Sequence, residues 1–236
     1  MIHSIIFWIL TCFVTLVYFP FIILVLLIFF KSKEKIEKIA VFFRRLWGRS
    51  LIFISGSKLE IQGLNNLNKG ETYILMPNHQ SMFDIFALCI LPFNFLWFAK
   101  HSLYKIPIFG LILKLVGSVP VDRSSLKKSY NSFKTAEDIV KKNRSVLFFP
   151  EGTRNTDNKL LPFKTGGFRL AITTGKKIVP ISILGSGKIQ KRGEFTIIPG
   201  TIKIIISPPI ATDRYSMKEK GKLMNKVKEA IEKNLS

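Results

Sequence analysis

A histidine and an aspartate in one short polar loop have the residue types and the spacing needed for proton transfer. In PNHQSMFD (residues 77–84), His79 is followed five positions later by Asp84. A carboxylate at that place can accept a hydrogen bond from one ring nitrogen, which fixes the tautomer and leaves the other nitrogen free to take a proton. The pair is therefore a candidate general base with an orienting acid.

The same stretch also has a purely structural interpretation. Ser81 followed three residues later by Asp84, before an apolar run, resembles a capping box with Ser81 as the N-cap of a helix. The box prefers Glu or Gln at its fourth place, because the shorter Asp reaches back poorly. Both interpretations stay open on spacing alone, and they are compatible if Ser81 caps the helix while Asp84 holds His79.

A second polar loop carries groups that suit a phosphate. FPEGTRN (residues 149–155) supplies the flexible Gly152, the hydroxyl of Thr153 and the forked cation of Arg154, all of which can bind phosphate oxygens. The competing interpretation is that Glu151–Arg154 forms only a polar turn after a strand.

Two further cations are candidates for the same anion. Lys164 lies in FKTGG (residues 163–167), just before a predicted helix whose first backbone N–H groups also suit an anion. Arg123 follows a short predicted strand at residues 117–122. These positions are weaker candidates, since a single surface cation needs no ligand.

Other kinds of chemistry find little support. The Gly-x-Ser-x-Gly elbow of serine hydrolases does not occur, and Cys89 lies in an apolar run that predicts a core position. His101 has no acid near it and is predicted to be structural or at the surface. The histidines and cysteines lack the short paired spacings that zinc prefers, so no metal site is predicted.

The elements around the two polar loops share one pattern. ILMPNHQS and VLFFPEGT each read as an apolar strand, a proline that ends it and a polar loop. If the two strands are parallel neighbours, His79 and Glu151 emerge at the same edge of the sheet, where α/β proteins place their sites.

Alternating strand-like and helix-like segments predict an α/β domain with a mostly parallel central sheet flanked by helices, finished by a few antiparallel strands. The length of 236 residues suits one such domain. Strands are predicted around Leu59 and Ile61 and at residues 72–77, 94–99, 117–122, 145–150, 177–184, 194–199 and 201–207. Helices are predicted at residues 81–91, 129–142, 166–175 and 216–234.

The N-terminus predicts a membrane anchor. Residues 5–30 contain no charged side chain and are long enough to span a bilayer, although Pro20 is expected to kink or break the segment. Lysines follow from Lys31 onward, which places that side in the cytoplasm by the positive-inside rule. Residues 36–54 then form a basic amphipathic pattern. We divide the chain into a membrane-associating helical segment, 1–56, and a catalytic α/β domain, 57–236.

The formal charge of +21 calls for an anionic partner, and part of it reflects lysine used at solvated positions. Nucleic acid and an anionic membrane surface are the two candidates. Recognised nucleic-acid-binding motifs are absent, and a nucleic-acid-binding function would leave the membrane anchor unexplained. Nucleic acid is therefore not predicted as a partner. Two cysteines in apolar runs imply no disulfide framework and favour a reducing compartment.

Four blocks of this sequence resemble the glycerolipid acyltransferase family, most closely the bacterial 1-acyl-glycerol-3-phosphate acyltransferases. They span about residues 72–184, and their order and spacing are specific where one block alone is weak. The blocks are NHQSMFD, AKHSLYKIPIFGLILKLVGSVPVDR, FPEGTRN and IVPISI.

The resemblance implies transfer of a fatty acyl group from an acyl thioester to the sn-2 hydroxyl of lysophosphatidic acid, giving phosphatidic acid. It makes His79 the general base and Asp84 its orienting acid, and it assigns substrate binding to a larger set. That set is Glu151, Gly152, Thr153, Arg154, Lys100, Arg123 and Lys164.

No metal or cofactor is expected from the resemblance; acyl-coenzyme A or acyl-carrier protein is the co-substrate, and membrane lipids are the other partners. The implied location is the inner (cytoplasmic) membrane with the catalytic domain facing the cytoplasm. The resemblance favours a monotopic anchor, and a single membrane span is the alternative. Two alternatives remain, an acyltransferase for another lyso-lipid and a non-catalytic membrane lipid-binding protein.

Overall fold

A computed structural model describes residues 1–29, 31–106, 110–111, 113, 118–122, 125–155 and 159–235 of the chain, with the side chains at positions 26, 33, 100 and 126 outside that description. Two long helices come first, α1 (Ile2–Ile28) and α2 (Lys33–Ile54). Pro20 lies inside α1, which continues through it. The prediction that Pro20 breaks the apolar segment was therefore wrong. The chain reverses direction after α1 instead.

The two N-terminal helices pack against each other. The Trp47 indole N–H donates to Thr15 Oγ1 at 3.1 Å, and the hydroxyls of Tyr18 and Ser50 lie 3.1 Å apart. By length and composition alone, Ile2–Val25 is the one helix in the described ranges that could cross a membrane. An N-terminal apolar helix is thus present and fits association with a membrane.

The described residues form a seven-stranded sheet in the order β1-β7-β6-β2-β5-β3-β4. All neighbouring strands run parallel except β6 and β7, which are antiparallel. The mixed α/β class and the mostly parallel sheet predicted above are confirmed. The strands are β1 (Lys58–Gln62), β2 (Ile74–Pro77), β3 (Leu96–Lys100), β4 (Val119–Val121), β5 (Val146–Leu147), β6 (Ile178–Leu184) and β7 (Thr201–Ile206).

Helices cover both faces of the sheet. They are α3 (Phe83–Cys89), α4 (Leu126–Lys141), α5 (Gly166–Thr174), α6 (Ser186–Ile189) and α7 (Lys220–Glu232), with short 3-10 turns at Leu64–Asn66, His101–Lys105 and Met217–Glu219. Gly175 ends α5 as predicted, with the positive φ of 64° that glycine tolerates.

Two apolar cores lie on opposite faces of the sheet, because successive side chains of a strand point to opposite sides. Leu75 of β2 packs in the core that includes Phe7, Leu51 and Phe83 from α1, α2 and α3. Met76, the next residue of β2, packs in a second core with residues of α4, α5 and α7. The N-terminal helices are therefore continuous with the α/β core, and the division at residues 56 and 57 stays a prediction.

One predicted strand is wrong. Residues 194–199 form no strand in the structure. Ile197 is buried, and its N–H donates to the Ser4 hydroxyl of α1 rather than to a neighbouring strand. An extended segment with one buried apolar side chain has the alternation of a strand, and here a helix supplies its partner.

Candidate active site

The two polar loops meet because β2 and β5 are parallel neighbours, with Ile74 opposite Val146 and Leu75 opposite Leu147. Both strands end at the same edge, as the shared strand–proline–loop pattern predicts. The backbone N–H of His79 donates to Glu151 Oε1 at 2.9 Å. The N–H of Asn155 in turn donates to the carbonyl of His79 at 2.7 Å. The backbone of His79 is thus held from both sides by the second loop.

Asp84 organises the first loop from a fully buried position. Its Oδ2 atom accepts hydrogen bonds from the backbone N–H groups of Gln80 at 2.6 Å and Ser81 at 2.8 Å. The same oxygen lies 2.8 Å from His79 Nδ1. An oxygen that accepts two backbone N–H bonds acts as a carboxylate, so Nδ1 carries the proton and donates to it.

The structure shows half of the predicted capping box together with the predicted contact of Asp84 with His79, while α3 itself begins after Met82 rather than after Ser81. The Ser81 hydroxyl accepts the N–H of Phe83 at 3.3 Å and donates to the carbonyl of Gln190 at 2.8 Å. Asp84 also reaches back to the Ser81 N–H, contrary to the expectation that an aspartate is too short. The start of α3 is therefore the device that sets the position of the carboxylate.

The His79 ring is fixed in plane as well as in tautomer. It stacks on Phe149 with ring centroids 3.8 Å apart and planes inclined by 20°, and its side chain is 12% exposed. No described residue makes a hydrogen bond to Nε2. Because Nδ1 carries the proton, Nε2 is the nitrogen available to accept one.

Helix α3 is anchored from behind by α2. The buried guanidinium of Arg44 donates to the carbonyls of Leu88, Leu91 and Phe93 at 2.8–3.2 Å and lies over the Phe95 ring. Burial lowers the pKa of Arg44 to about 10. These bonds satisfy one carbonyl in the last turn of α3 and two in the segment that follows it. The helix whose first turn carries Asp84 is thereby tied to the N-terminal pair.

A cavity of about 2010 Å³ opens at this edge of the sheet, with His79 among its lining residues. It is larger than the roughly 300–1,000 Å³ of usual small-molecule pockets. Part of the lining is polar and includes Gly152, Thr153, Arg154 and Lys164. Another part is apolar and comes from α1 and α2, including Trp8, Phe19, Ile22, Phe43 and Trp47.

The predicted phosphate-binding groups are open to a ligand. Gly152 and Thr153 are exposed, and Gly152 has a positive φ of 72°. The side chains of Arg154 and Lys164 make no hydrogen bond or ion pair with any residue in the described ranges. Both cations therefore line the cavity with no anionic side chain paired to them among the residues that the structure describes.

Glu151 takes a bracing position instead. Its Oε1 accepts the His79 N–H, and its Oε2 accepts the Leu161 N–H at 2.9 Å. Burial raises the pKa of this carboxyl, while the two N–H groups oppose that shift. Its predicted contact with substrate stays a prediction.

Two predicted substrate residues lie outside the described part of the chain, namely Arg123 and the side chain of Lys100. Neighbouring residues of the same sequence block, including Ala99 and Asp122, line the cavity. His101 is exposed at its rim, and Cys89 is buried as predicted.

Sequence reasoning missed Arg192 and Asn78. Arg192 lines the cavity, and its guanidinium donates to the carbonyl of Arg154 at 3.0 Å. Asn78 is buried and exchanges hydrogen bonds with both backbone groups of Ile183, which ties the end of β2 to β6. Asn78 stands next to His79 in the sequence, which is a signal that could have found it, whereas no sequence signal links Arg192 to a loop 38 residues away.

Comparison with known proteins supplies the family. The acyltransferase family model matches residues 58–184, more than half of the chain, and this region contains both loops. This chain belongs to the acyltransferase family.

Two relatives show the range of the family. The chloroplastic 1-acyl-sn-glycerol-3-phosphate acyltransferase BAT2 of Brassica napus is 38% identical over 171 residues, which cover 72% of this chain and 49% of that protein. A 1-acyl-sn-glycerol-3-phosphate acyltransferase of Borreliella burgdorferi is 28% identical over 185 residues, covering 78% and 74%. The chain spans about half the length of some of the curated relatives it matches.

A solved structure has the same fold. The crystal structure of PlsC, the 1-acyl-sn-glycerophosphate acyltransferase of Thermotoga maritima, superposes with a TM-score of 0.85. The match covers 99% of this chain and 93% of that one, at 24% identity. It therefore includes the N-terminal helices as well as the sheet.

Proposed function

We propose that this acyltransferase moves a fatty acyl group from a thioester to the sn-2 hydroxyl of 1-acyl-glycerol-3-phosphate, giving phosphatidic acid. One observation carries the proposal. A histidine held by Asp84 lines the same cavity as Arg154 and Lys164, and within the described part of the chain nothing bonds its Nε2 or pairs with those two cations. A base beside an anion grip suits a hydroxyl substrate that also bears a phosphate.

In the proposed reaction, His79 Nε2 takes the proton of the acceptor hydroxyl as its oxygen attacks the thioester carbonyl. Asp84 stabilises the imidazolium that forms, because its carboxylate already bonds Nδ1. The tetrahedral intermediate then collapses and the C–S bond breaks. The leaving thiolate collects the proton from Nε2, so the histidine returns to its starting state.

The two parts of the cavity fit the two ends of such an acceptor. Arg154, Lys164 and the Thr153 hydroxyl would bind the phosphate, and the apolar side chains of α1 and α2 would receive acyl chains. The donor is acyl-coenzyme A or acyl-carrier protein. Both are acidic, which suits a chain of formal charge +21.

The proposed location is the cytoplasmic face of the inner membrane. The lysines that follow α1 support this orientation, because the positive-inside rule associates such residues with the cytoplasmic side. The apolar α1 and the basic α2 would hold the cavity near its lipid substrate.

Purified protein in mixed micelles tests the proposal in a matrix of donors and acceptors. The donors are acyl-coenzyme A and acyl-carrier protein, and the acceptors are lysophosphatidic acid, glycerol-3-phosphate and a lysophospholipid with a larger head group. We expect turnover with lysophosphatidic acid and none for His79→Ala, which retains its fold. Equal use of the larger head group would refute the acceptor, and turnover by His79→Ala would refute the base.

A further inference from the structure

The segment wrongly predicted to be a strand runs along the start of α1. We define residues 190–199, between α6 and β7, as the 190–199 loop. The Trp8 indole donates to the Phe195 carbonyl at 2.8 Å, and the Ile197 N–H donates to Ser4 Oγ at 2.9 Å. The later residue of the loop meets the earlier residue of α1. The loop is thus antiparallel to the first two turns of that helix.

This docking turns two large apolar side chains outward. Ile197 is 4% exposed and packs in the core, whereas Phe195 is 78% exposed and Ile198 is 59% exposed. One exposed apolar residue is ordinary at a protein surface. These two lie beside the N-terminal half of α1, whose own Ile2 and Ile5 are exposed. Together they form one apolar surface built from two separate parts of the chain.

Basic side chains lie next to that surface. Lys191 and Arg192 are exposed and precede Phe195 by four and three residues, with Gly193 and the exposed Glu194 between them. Cations beside exposed aromatic and aliphatic side chains match the interface of an anionic bilayer, where head groups meet acyl chains.

We propose that the 190–199 loop is a membrane-contact element additional to α1 and α2, and that it inserts Phe195 and Ile198 into an anionic lipid bilayer. Continuity with the apolar face of α1 and the adjacent basic pair both point to lipid. A second protein copy would have no need of this charge pattern. The inference does not depend on catalysis.

The loop also joins the membrane surface to the site. Arg192 donates to the Arg154 carbonyl, and the Gln190 carbonyl accepts the Ser81 hydroxyl. Contact of the loop with lipid would therefore hold the open cations of the cavity at a set height above the bilayer.

A depth measurement tests this contact independently of turnover. The background is Cys12→Ser, since Cys89 is buried and unreactive to a bulky label. An environment-sensitive NBD label is placed at Ile198→Cys, with Lys226→Cys on α7, across the sheet, as the exposed control. The vesicles contain phosphatidylethanolamine and phosphatidylglycerol, with or without lipid spin-labelled on the acyl chain.

We expect the label at position 198 to shift to shorter wavelength on vesicles and to lose emission to the spin-labelled lipid. The label at position 226 should do neither, although both proteins float with the vesicles through α1. A label at 198 that stays in water while the protein floats would overturn the proposal. So would a shift that lipid does not quench and that rises with protein concentration, because a second copy would then cover the loop.

A functional variant gives a second reading. Phe195→Ser with Ile198→Ser should raise the apparent KM for acceptor embedded in anionic vesicles, while activity on a short-chain acceptor in solution stays unchanged. Tyr130→Ser removes another exposed aromatic residue, on α4, and should leave both unchanged. Equal losses of activity on both substrates would mean that the loop has only a structural role. If the unsubstituted protein shows no turnover at all, the proposed function is refuted, and the depth measurement still tests membrane contact by the loop.

Discussion

The loops after β2 and β5 leave neighbouring strands at the same edge, yet they are bonded very differently. In the first, Asp84 accepts three hydrogen bonds and His79 is held through its backbone, its Nδ1 and its ring face. In the second, Gly152 and Thr153 are exposed, and the side chain of Arg154 has no partner among the described residues. A catalytic base must be held in position before the substrate binds. The groups of an anion-binding site, by contrast, find their hydrogen-bond partner when the anion binds.

Loss of the Asp84 charge should have the largest effect of the changes to these loops. Asp84→Asn keeps one oxygen for the two backbone N–H groups, so the fold should persist. The imidazolium would lose its carboxylate, and kcat should fall by about 10²–10⁴-fold, the range typical of general-base catalysis. Steady-state kinetics and thermal unfolding measure the two effects.

The double variant His79→Ala with Asp84→Asn sharpens this test. If Asp84 acts only through His79, the double variant should be no less active than His79→Ala alone, because residues acting as a unit are non-additive. A further loss would show that Asp84 contributes by another route.

Glu151 links the two loops, and its removal should lower both stability and turnover. Glu151→Ala leaves the partly buried N–H groups of His79 and Leu161 without their acceptor, at a cost of up to about 1–3 kcal/mol each. We expect a lower unfolding temperature. We also expect kcat to fall by about tenfold, equivalent to about 1.4 kcal/mol, because the backbone of His79 loses its support.

Glu151→Gln is the matched control for this change. It keeps one acceptor oxygen and should fall between the wild type and Glu151→Ala in both measurements. A change in KM without loss of stability would instead favour the predicted contact of Glu151 with substrate.

Removal of the Arg154 guanidinium should weaken binding of the acceptor more than it slows the chemical step. Arg154→Ala is expected to raise the apparent KM for lysophosphatidic acid by about 10–100-fold, the equivalent of one charged hydrogen bond. The kcat at saturating acceptor should change little, since His79 and its partners are untouched. Arg154→Lys keeps the charge but loses the forked geometry, so its KM should lie between the two.

The position of the loop after β2, which carries His79, could be predicted from the sequence, but its hydrogen bonds to the loop after β5 could not. The strand–proline–loop pattern around Pro77 and Pro150 placed His79 and Glu151 at one edge, because strand type and loop position are local properties. It did not show that Glu151 bonds the His79 backbone, since the register of two distant strands is set by the whole sheet.

Other features failed for the same reason, that the partner lies far along the chain. The alternation at residues 194–199 resembles a strand whether Ile197 packs on a sheet or, as here, in the core beside α1. The basic amphipathic pattern at residues 36–54 gave Arg44 no role, whereas its guanidinium donates to the carbonyls of Leu88, Leu91 and Phe93, more than 40 residues away.

The smallest effect is expected at the most exposed polar group of the open loop. Thr153→Val removes a hydroxyl that bonds no described residue, so the free protein should be as stable as the wild type. If the hydroxyl binds the phosphate, the apparent KM should rise about 2–10-fold, the worth of one neutral hydrogen bond. Thr153→Ser, which keeps the hydroxyl, should restore the wild-type KM. An unchanged KM in Thr153→Val would mean that the Thr153 hydroxyl does not bind the phosphate. Arg154, Lys164 and backbone N–H groups would then be the groups that bind it.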